Sequence, residues 1–202
     1  MEISKAIKER RSIKKYLNKD VPLLTILELI DAAHQAPSSG NLQNWRFIIV
    51  KNQKLKQRIA EACLDQTWMV GAPVLIVICS DREHLRSYYE KHTNTYSIQN
   101  CALAAQNLML KAYSLKLGTC FVSGFSKMAL KSALEIGEGI EPESVIAVGF
   151  PAENPVSKRS NLEMSTFFEK YGNRRADKSI YPLANKLKSL RSELSSNFLE
   201  GG

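Results

Sequence analysis

A run of basic and short polar residues near the N-terminus has the composition of an anion site. Arg10 and Arg11 are adjacent, Ser12 follows them, and Lys14 comes two positions later. A guanidinium can donate two parallel hydrogen bonds to a phosphate, and a hydroxyl adds a short donor. Lys14 could place a positive charge against a developing anion. The alternative is a solvated basic helix end, where the helix dipole favours positive charge.

A second segment, from Ala36 to Val50, is unusually polar for a connection between two apolar elements. Eight consecutive residues in it include two serines, a glycine, two asparagines, a glutamine and a tryptophan. Short polar side chains and exposed amides can hydrogen-bond a planar ligand, so this segment is a candidate site. The alternative is a turn in which Ser38 or Asn41 satisfies nearby backbone groups.

Two later segments also combine a strand pattern with ligand-binding residue types. The stretch from Gly118 to Phe125 ends a short strand in a Ser-Gly step, and Gly124 would let the backbone approach a ligand closely. The stretch from Gly149 to Pro155 is followed by a second cationic pair, Lys158 and Arg159. The alternatives are an ordinary strand-to-helix turn and a surface loop.

The composition is that of an ordinary globular chain. A length of 202 residues fits one domain with room for an extension, and 44% apolar and 24% charged residues are typical values. No apolar run approaches the roughly 20 residues of a membrane span, and the N-terminus lacks the apolar centre of a signal peptide. The four cysteines form no CxxC pair and the three histidines are widely spread, which argues against a zinc site. We therefore expect buried free thiols and a cytoplasmic protein.

The net charge of +8 favours an anionic partner. Nucleic acid is one candidate, but the basic residues are scattered and aromatic residues do not interleave with them as a stacking surface requires. A small ligand that carries a phosphate explains the few basic clusters more economically.

The hydrophobic pattern alternates helices and strands, which indicates an α/β or α+β fold. The run from Val74 to Cys79 predicts a central strand covered on both faces. Residues 82–96 are expected to be a mobile or partner-facing helix and loop, and 182–199 a helix that covers its own domain or a second subunit. Helices are predicted at 2–10, 23–36, 53–65, 97–116 and 127–134, and strands at 47–50, 74–79, 119–122 and 144–150. Ser126 is expected to be the N-cap of the helix at 127–134.

Two of the predicted helices carry apolar residues at helical spacing, and these are expected to face the core. Gly118 is expected to cap the second of these helices at its C-terminal end. The predicted buried residues are Leu23, Ile26, Leu27, Ile30 and Ala33 in the first, and Ile98, Ala102, Ala105, Leu108, Met109 and Ala112 in the second.

The nucleotide-binding motifs that are common in such folds are missing. No GxGxxG follows the first predicted strand, and no GxxxxGK[ST] occurs anywhere. A nucleotide-like cofactor must therefore be held in another way. Cys120 could serve as a nucleophile, but no base is visible for it.

Five motifs in this order resemble the nitroreductase family of FMN-dependent oxidoreductases. The resemblance covers roughly residues 2–160. The motifs are Arg-Arg-Ser-x-Lys-x-Tyr at 10–16, Ala-Pro-Ser-Ser-Gly-Asn-x-Gln-x-Trp-x-Phe at 36–47, Ala-Ala-Gln-Asn-Leu-x-Leu-x-Ala at 104–112, Leu-Gly-Thr-Cys at 117–120 and Ala-Val-Gly-Phe-Pro-Ala-Glu at 147–153.

The resemblance implies an α+β three-layer sandwich, in which helices flank a central and mostly antiparallel sheet. It also implies an intertwined homodimer with FMN at the subunit interface, and NADH or NADPH as the reductant. The acceptor would be a nitroaromatic, a quinone or a similar small molecule, reduced in a ping-pong cycle. Residues 1–160 would form the FMN-binding domain, and 161–202 a helical extension that packs on the domain or on the partner. No membrane or nucleic-acid partner is implied.

The resemblance also assigns residues to the flavin. Arg10, Arg11 and Ser12 would bind phosphate or ribityl oxygens, and Lys14 would face the N1/O2 edge of the flavin. Lys158 and Arg159 would grip the phosphate as well. The flavin ring would lie near the backbone of Val122, Ser123 and Gly124, and would receive from the other subunit the contacts of Pro37, Ser38, Ser39, Gly40, Asn41 and Gln43.

Two positions depart from the family pattern. Asn44 stands where the family usually has proline, and Asn100 stands where many members have aspartate. These departures bear on cofactor tuning and acceptor preference. The alternatives are a specialised flavoprotein of the same fold and a basic protein, without enzymatic activity, that binds nucleic acid or another anion.

Overall fold

The computed structural model describes residues 2–174, which divide into two compact units between Val156 and Ser157. The first unit is built on four strands, β1 (Trp45–Val50), β2 (Val74–Asp81), β3 (Gly118–Val122) and β4 (Ile140–Gly149). All neighbouring strands pair antiparallel in the order β1-β2-β4-β3. Strands β1 and β3 are therefore the two edges of the sheet.

Six α-helices accompany the sheet within the described residues. Asn52, Asp81 and Ser126 cap three of them, because each side chain accepts a hydrogen bond from a backbone N–H in the first turn. The Ser126 cap confirms the prediction from the sequence. The helices are α1 (Ile3–Glu9), α2 (Leu23–His34), α3 (Gln53–Ala62), α4 (Arg82–Tyr89), α5 (Thr93–Ser114) and α6 (Lys127–Leu134).

Helices cover both faces of the sheet, which gives three layers. On β2, Ile76 and Ile78 face a core shared with α2 and α5, whereas Leu75 and Val77 face a core shared with α3 and α6. Every residue from Val74 to Ser80 is buried, as the continuous apolar run predicted. The α+β three-layer fold predicted from the sequence is confirmed.

The apolar stripes of α2 and α5 are only partly buried, which corrects the sequence prediction. Leu23, Leu27 and Ile98 are 57%, 47% and 54% exposed, and Ala102 is exposed as well. Helical periodicity locates an apolar stripe, but the sheet covers a narrower face than the stripe provides. The buried residues of these two helices include Ile26, Leu29, Ala33, Cys101, Ala104, Ala105, Leu108, Met109 and Ala112.

The predicted role of Gly118 is wrong. Helix α5 ends at Ser114, and Lys116, with a φ of +62°, takes the left-handed conformation that a cap needs. Gly118 instead opens β3. Other predicted elements are present with shifted ends, since α5 begins at Thr93 and β4 at Ile140.

The described part of the second unit, residues 157–174, contains a short 3₁₀ turn at Leu162–Met164. The amphipathic pattern at 182–199 lies outside the described residues, and the predicted domain boundary after residue 160 stays a prediction. The helices found within residues 2–174 are each too short or too polar to cross a membrane.

Candidate functional site

The segment that carries Arg10 to Lys14 is fixed mainly by its backbone, and the Tyr16 hydroxyl adds a hydrogen bond to the Ala147 carbonyl of β4 at 3.4 Å. Ser12 forms a parallel bridge with Thr119 of β3, and the Ile13 N–H donates to the Thr119 carbonyl at 3.0 Å. Further along, the Leu17 N–H donates to the Phe150 carbonyl at 2.9 Å. The N-terminal segment, residues 10–17, therefore runs beside β3 and on past the end of β4.

Glu153 anchors this segment at its centre. One carboxylate oxygen accepts hydrogen bonds from the N–H groups of Lys14, at 2.6 Å, and Lys15, at 3.0 Å. These two donors hold the pKa of Glu153 below its usual value, because they stabilise the ionised carboxylate. The Lys14 backbone is thus positioned by a residue far away in the sequence.

Two glycines give the segment its room. A Cβ atom on Gly118 would lie 2.7 Å from Cγ1 of Ile13. One on Gly149 would lie 2.5 Å from Cδ of Pro73 and 2.8 Å from the ring of Tyr16. Gly118 and Gly149 are partners across the β3–β4 pairing. The close approach of residues 13–16 to the sheet therefore depends on two adjacent positions without side chains.

A cavity of about 560 Å³ lies beside the start of the N-terminal segment. Arg10 is half-buried in its wall, and Lys5 and Lys116 add positive charge. Two carboxylates, Glu9 and Glu153, line it as well, so basic residues outnumber acidic ones but are not alone. The Arg11 guanidinium donates instead to the carbonyls of Lys8, at 2.7 Å, and Arg10, at 2.9 Å. Arg11 therefore fits the alternative of a basic residue that satisfies a helix end, although it also lines the cavity.

The Lys14 side chain lies over Trp68 and does not line this cavity. It is exposed, and its Nζ lies 5.3 Å from the ring centroid of Trp68. Burial raises the pKa of the nearby Cys120 thiol, even though Lys14 and Ser12 act in the opposite direction. Cys120 is therefore a protonated thiol at neutral pH and a poor nucleophile.

Strand β3 also leads to the Val122–Gly124 stretch. Val122 is buried, while Ser123 and Gly124 are exposed just after the strand ends. A Cβ atom on Gly124 would come no closer than 3.6 Å to Leu64, which leaves this backbone accessible. The structure thus brings two of the predicted groups, 10–14 and 122–124, to the same edge of the sheet.

The polar loop, residues 36–44, has an unusual backbone. Gly40, Asn41 and Gln43 have φ angles of +57°, +56° and +47°, and Ser39–Asn41 forms a 3₁₀ turn. Ser38 supports this shape, because its hydroxyl accepts from the Gln43 N–H at 3.0 Å. The turn role that was the alternative for Ser38 is therefore present.

Buried side chains connect the polar loop to the sheet. The N–H and the hydroxyl of Ser39 donate to Oδ1 of Asn100 at 3.1 and 3.2 Å. The Asn100 amide donates to Oδ1 of Asn44 at 2.7 Å, and the Asn44 amide donates to the Ser80 hydroxyl at 2.6 Å. The two positions that depart from the family pattern are thus hydrogen-bonded to each other.

The polar loop and the N-terminal segment lie at opposite edges of the sheet. The loop enters β1, whereas Ser12 pairs with β3. Neighbouring strands are about 4.8 Å apart, so the three strand spacings between β1 and β3 amount to about 14 Å. A single chain does not bring these two predicted groups together.

Lys158 and Arg159 belong to the second unit, where both are exposed. Their predicted contact with a phosphate stays a prediction.

Sequence reasoning missed three residues near the N-terminal segment. Trp68 under Lys14 and Lys116 beside the cavity gave no signal, because neither belongs to a spaced pattern. Glu153 was the last residue of a quoted motif, and an acidic residue after a strand could have been examined as a partner for backbone N–H groups.

Comparisons with known proteins agree with this architecture. The antiparallel sheet between two helical layers defines a nitroreductase-type fold, and a sequence model of the nitroreductase family matches residues 7–69 and 64–150. The chain belongs to the nitroreductase family. This confirms the resemblance and the predicted oxidoreductase class.

Individual relatives cover most of the chain. A protein of Methanothermobacter thermautotrophicus, provisionally named NADH dehydrogenase/NAD(P)H nitroreductase, is 36% identical over 159 residues, which span 77% of this chain and 80% of that protein. The FMN reductase (NAD(P)H) of Bacillus subtilis is 28% identical over 171 residues, spanning 78% of this chain and 69% of that enzyme. The crystal structure of a nitroreductase family protein from Clostridium novyi NT matches with a TM-score of 0.70 and 27% identity, and covers 86% of this chain and 97% of that one.

Proposed function

We propose that this protein is an FMN-dependent oxidoreductase that uses NADH or NADPH to reduce nitroaromatics, quinones or similar small acceptors. The observation that carries the proposal is the N-terminal segment, which presents Arg10 at a cationic cavity and Lys14 further along the same sheet edge. The predicted cofactors agree with the names of the relatives, which include an FMN reductase that uses NAD(P)H.

The donor set at the cavity fits a phosphate. Arg10, Lys5 and Lys116 supply positive charge around a volume of about 560 Å³, a size that suits part of a nucleotide-like ligand. In this proposal Arg10, Arg11 and Ser12 bind the phosphate and ribityl oxygens of FMN, with Lys158 and Arg159 as further phosphate contacts.

The remaining residues of this edge suit a flavin ring. Bound FMN would supply the hydride and electron chemistry, which explains why the chain needs no catalytic dyad of its own. The Lys14 ammonium would stabilise negative charge at the N1/O2 edge. The accessible backbone of residues 122–124 would orient the ring and leave one face open.

We infer that the complete site needs a second copy of the chain. The polar loop lies at the far edge of the sheet, so its contacts with the flavin would come from the partner of a homodimer. Exposed apolar side chains on α2 and α5, such as Leu24 (77%) and Ile98 (54%), support an interface of this kind.

Acceptor choice would depend on the segment of residues 82–96. It packs against the polar loop, since the hydroxyl of Tyr89 lies 2.7 Å from where a Cβ atom on Gly40 would be. The ring of Tyr96 contacts two other rings, with centroid distances of 5.0 Å to Tyr89 and 5.4 Å to His92. Planar acceptors would meet these rings next to the loop.

The test is to purify the protein and measure its bound flavin. We expect stoichiometric FMN, bleached anaerobically by NADH or NADPH, and a subsequent screen of acceptors would identify those that restore the colour. A colourless preparation that binds DNA in a salt-sensitive manner would instead support the anion-binding alternative.

Steady-state kinetics test the order of substrates. Because one open flavin face would not hold both substrates at once, we expect a ping-pong pattern, with parallel double-reciprocal lines. Intersecting lines would require a ternary complex and contradict this part of the proposal.

The compartment is also part of the proposal. All four cysteines are free and buried, which suits the reducing cytoplasm predicted from the sequence.

A further inference from the structure

We propose that Asn100 and Asn44 are positioning residues for the flavin site, because together they fix the polar loop and set the hydrogen-bonding polarity of Ser39. The inference rests on the proposed function, in which this loop contacts FMN. Neither asparagine is proposed to touch the ligand. Their effect passes through Ser39, one of the predicted flavin contacts.

The hydrogen bonds form a continuous chain from the polar loop to β2. Ser39 donates to Asn100, Asn100 donates to Asn44, and Asn44 donates to Ser80 on β2, at distances from 2.6 to 3.2 Å. The Asn44 carbonyl also accepts from the Asp81 N–H at 2.7 Å. The loop is therefore connected to the rigid centre of the sheet through two side-chain amides.

Burial makes these bonds matter. Asn44 and Ser80 are fully buried, and Asn100 is 2% exposed. A buried amide that loses its partner is costly, because water cannot replace the lost hydrogen bond. The chain of bonds is therefore expected to persist as a unit and to resist rearrangement.

The loop needs this external support. Gly40, Asn41 and Gln43 all adopt left-handed conformations, which are unfavourable for asparagine and glutamine without compensating contacts. Ser39 lies directly before these residues, and both of its donors go to Asn100. Loss of the Ser39–Asn100 hydrogen bonds would therefore release the part of the loop in which the backbone conformation is least favourable.

The same bonds give Ser39 a defined polarity. Since its hydroxyl proton is directed to Asn100, its oxygen is left with lone pairs for the ligand. Ser39 therefore acts as an acceptor, suited to an O–H or N–H group of the bound ligand. The ribityl hydroxyls and the ring N–H of FMN are donors of this kind.

The experiment compares variants of the full-length protein in FMN binding and in the spectrum of the bound flavin. Asn100→Leu removes the acceptor at similar volume, and we expect the Kd for FMN to rise about tenfold and the absorption maximum of bound flavin to shift. Asn107→Leu, a change of the same type two turns further along α5, serves as the control and should stay within about twofold of wild type.

A conservative variant separates positioning from stability. Asn100→Asp keeps the acceptor for Ser39, and the Asn44 amide can turn to donate to the new carboxylate while accepting from Ser80. We expect its Kd for FMN to return to within about threefold of wild type. If Asn100→Asp binds FMN as poorly as a well-folded Asn100→Leu, the acceptor role of position 100 is wrong.

Asn44 provides an independent test. Asn44→Ala releases the far end of the Asn100 amide, and we expect the Kd to rise about threefold. The double variant Asn44→Ala/Asn100→Leu should be no worse than Asn100→Leu alone, since both interrupt one chain of bonds. Asn44→Ala also decides the matter if Asn100→Leu fails to fold, and an unchanged Kd and flavin spectrum would then overturn the proposal.

The two levels of inference fail differently. If wild type binds no FMN, the proposed function falls and this inference falls with it. If wild type binds FMN and is bleached by NAD(P)H, while a folded Asn100→Leu matches the Asn107→Leu control in Kd and spectrum, only the positioning role is overturned.

Discussion

The N-terminal segment and the polar loop are the two halves of the proposed flavin site, and they are held in opposite ways. Backbone groups of the N-terminal segment bond the carbonyls of Thr119 and Phe150 and the carboxylate of Glu153, which leaves the Lys14 side chain exposed. Side chains fix the polar loop, and Ser39 has both of its donors committed to Asn100.

Because of this difference, we expect the affinity for the ligand to be independent of the backbone position in the N-terminal segment and to be coupled to it in the polar loop. In the N-terminal segment, a side chain that binds the ligand can be removed while the backbone stays in place. In the polar loop, the residues that would bind the ligand also hold the loop, so their removal changes shape and affinity together.

The largest effect is expected at Gly118, because a side chain at this position would disrupt the backbone pairing that holds the N-terminal segment. In Gly118→Ala the new Cβ atom would meet Ile13 at 2.7 Å and push the segment away from β3. Overpacking of this kind costs about 1–3 kcal/mol, so we expect a lower free energy of unfolding in urea and a Kd for FMN at least tenfold higher than that of wild type. Gly137→Ala, with nothing within 4 Å, is the control, and equal effects at both positions would contradict this role for Gly118.

Replacing Arg10 tests whether FMN affinity can be lowered in the N-terminal segment without a comparable loss of folding stability. A charge-assisted phosphate contact is worth about 1.5–3 kcal/mol, so Arg10→Ala should raise the Kd for FMN about tenfold or more. We expect the free energy of unfolding to change much less, because backbone bonds hold the segment. Arg159→Ala should behave similarly if the late basic pair shares the phosphate.

The control for Arg10 is a surface arginine away from the cavity. Arg58 on α3 makes one long hydrogen bond, at 3.5 Å, and Arg58→Ala should leave FMN binding unchanged. Stoichiometric yellow FMN in both Arg10→Ala and Arg159→Ala would show that the phosphate assignment is wrong.

The contrast also explains what the sequence could predict. The strand pattern of Val74 to Cys79 and the Ser126 cap were predicted correctly, because burial on both faces and capping leave local signals. The motifs containing Arg10 and Ser39 located both halves of the candidate site. Local patterns can identify such segments because each needs a particular run of residue types.

The supports of the two halves were not predictable in this way. Glu153 lies far from Lys14 in the sequence. Asn44 and Asn100 are also far apart in the sequence, and they come within hydrogen-bonding distance only because α5 packs against the sheet. Nothing local distinguishes an asparagine that bonds to another asparagine from one at the surface. The exposure of Leu23 and Ile98 was missed for a related reason, since periodicity alone does not say how wide a face the fold covers.

A smaller effect is expected from acid on the Glu153 anchor. Its pKa is lowered in the folded protein, so the contribution of the anchor is present above the usual carboxyl pKa and is lost as the pH falls through the folded value. Glu153→Ala should raise the Kd for FMN about threefold near neutral pH. In wild type we expect the Kd to rise further as the pH falls and the anchor is protonated, and in Glu153→Ala this further rise should be smaller. Glu138→Ala, at an exposed position, is the matched control. A normal Kd and an unchanged acid profile in Glu153→Ala would show that Glu153 does not anchor the N-terminal segment.

The smallest effect is expected at alkaline pH. The N-terminal segment contains Tyr16, a phenol that ionises at high pH, whereas the polar loop, residues 36–44, contains no titratable side chain. Burial raises the pKa of Tyr16, and the charges of Cys120 and Glu153 act in the same direction. A raised acid pKa means that the unfolded chain loses the proton first, so the stabilisation is complete below pH about 10 and declines as the pH rises further.

Tyr16→Phe removes this contribution, so its free energy of unfolding should fall less steeply than that of wild type above pH about 10. Both proteins retain a common alkaline decline, since burial raises the pKa of Cys63 to about 11 and that of Cys79 to about 12. The measurement is urea unfolding at a series of pH values from 8 upward. Identical slopes would show that Tyr16 does not link the N-terminal segment to alkaline stability. Only the acid dependence of the Glu153 anchor would then distinguish the pH response of this segment from that of the polar loop.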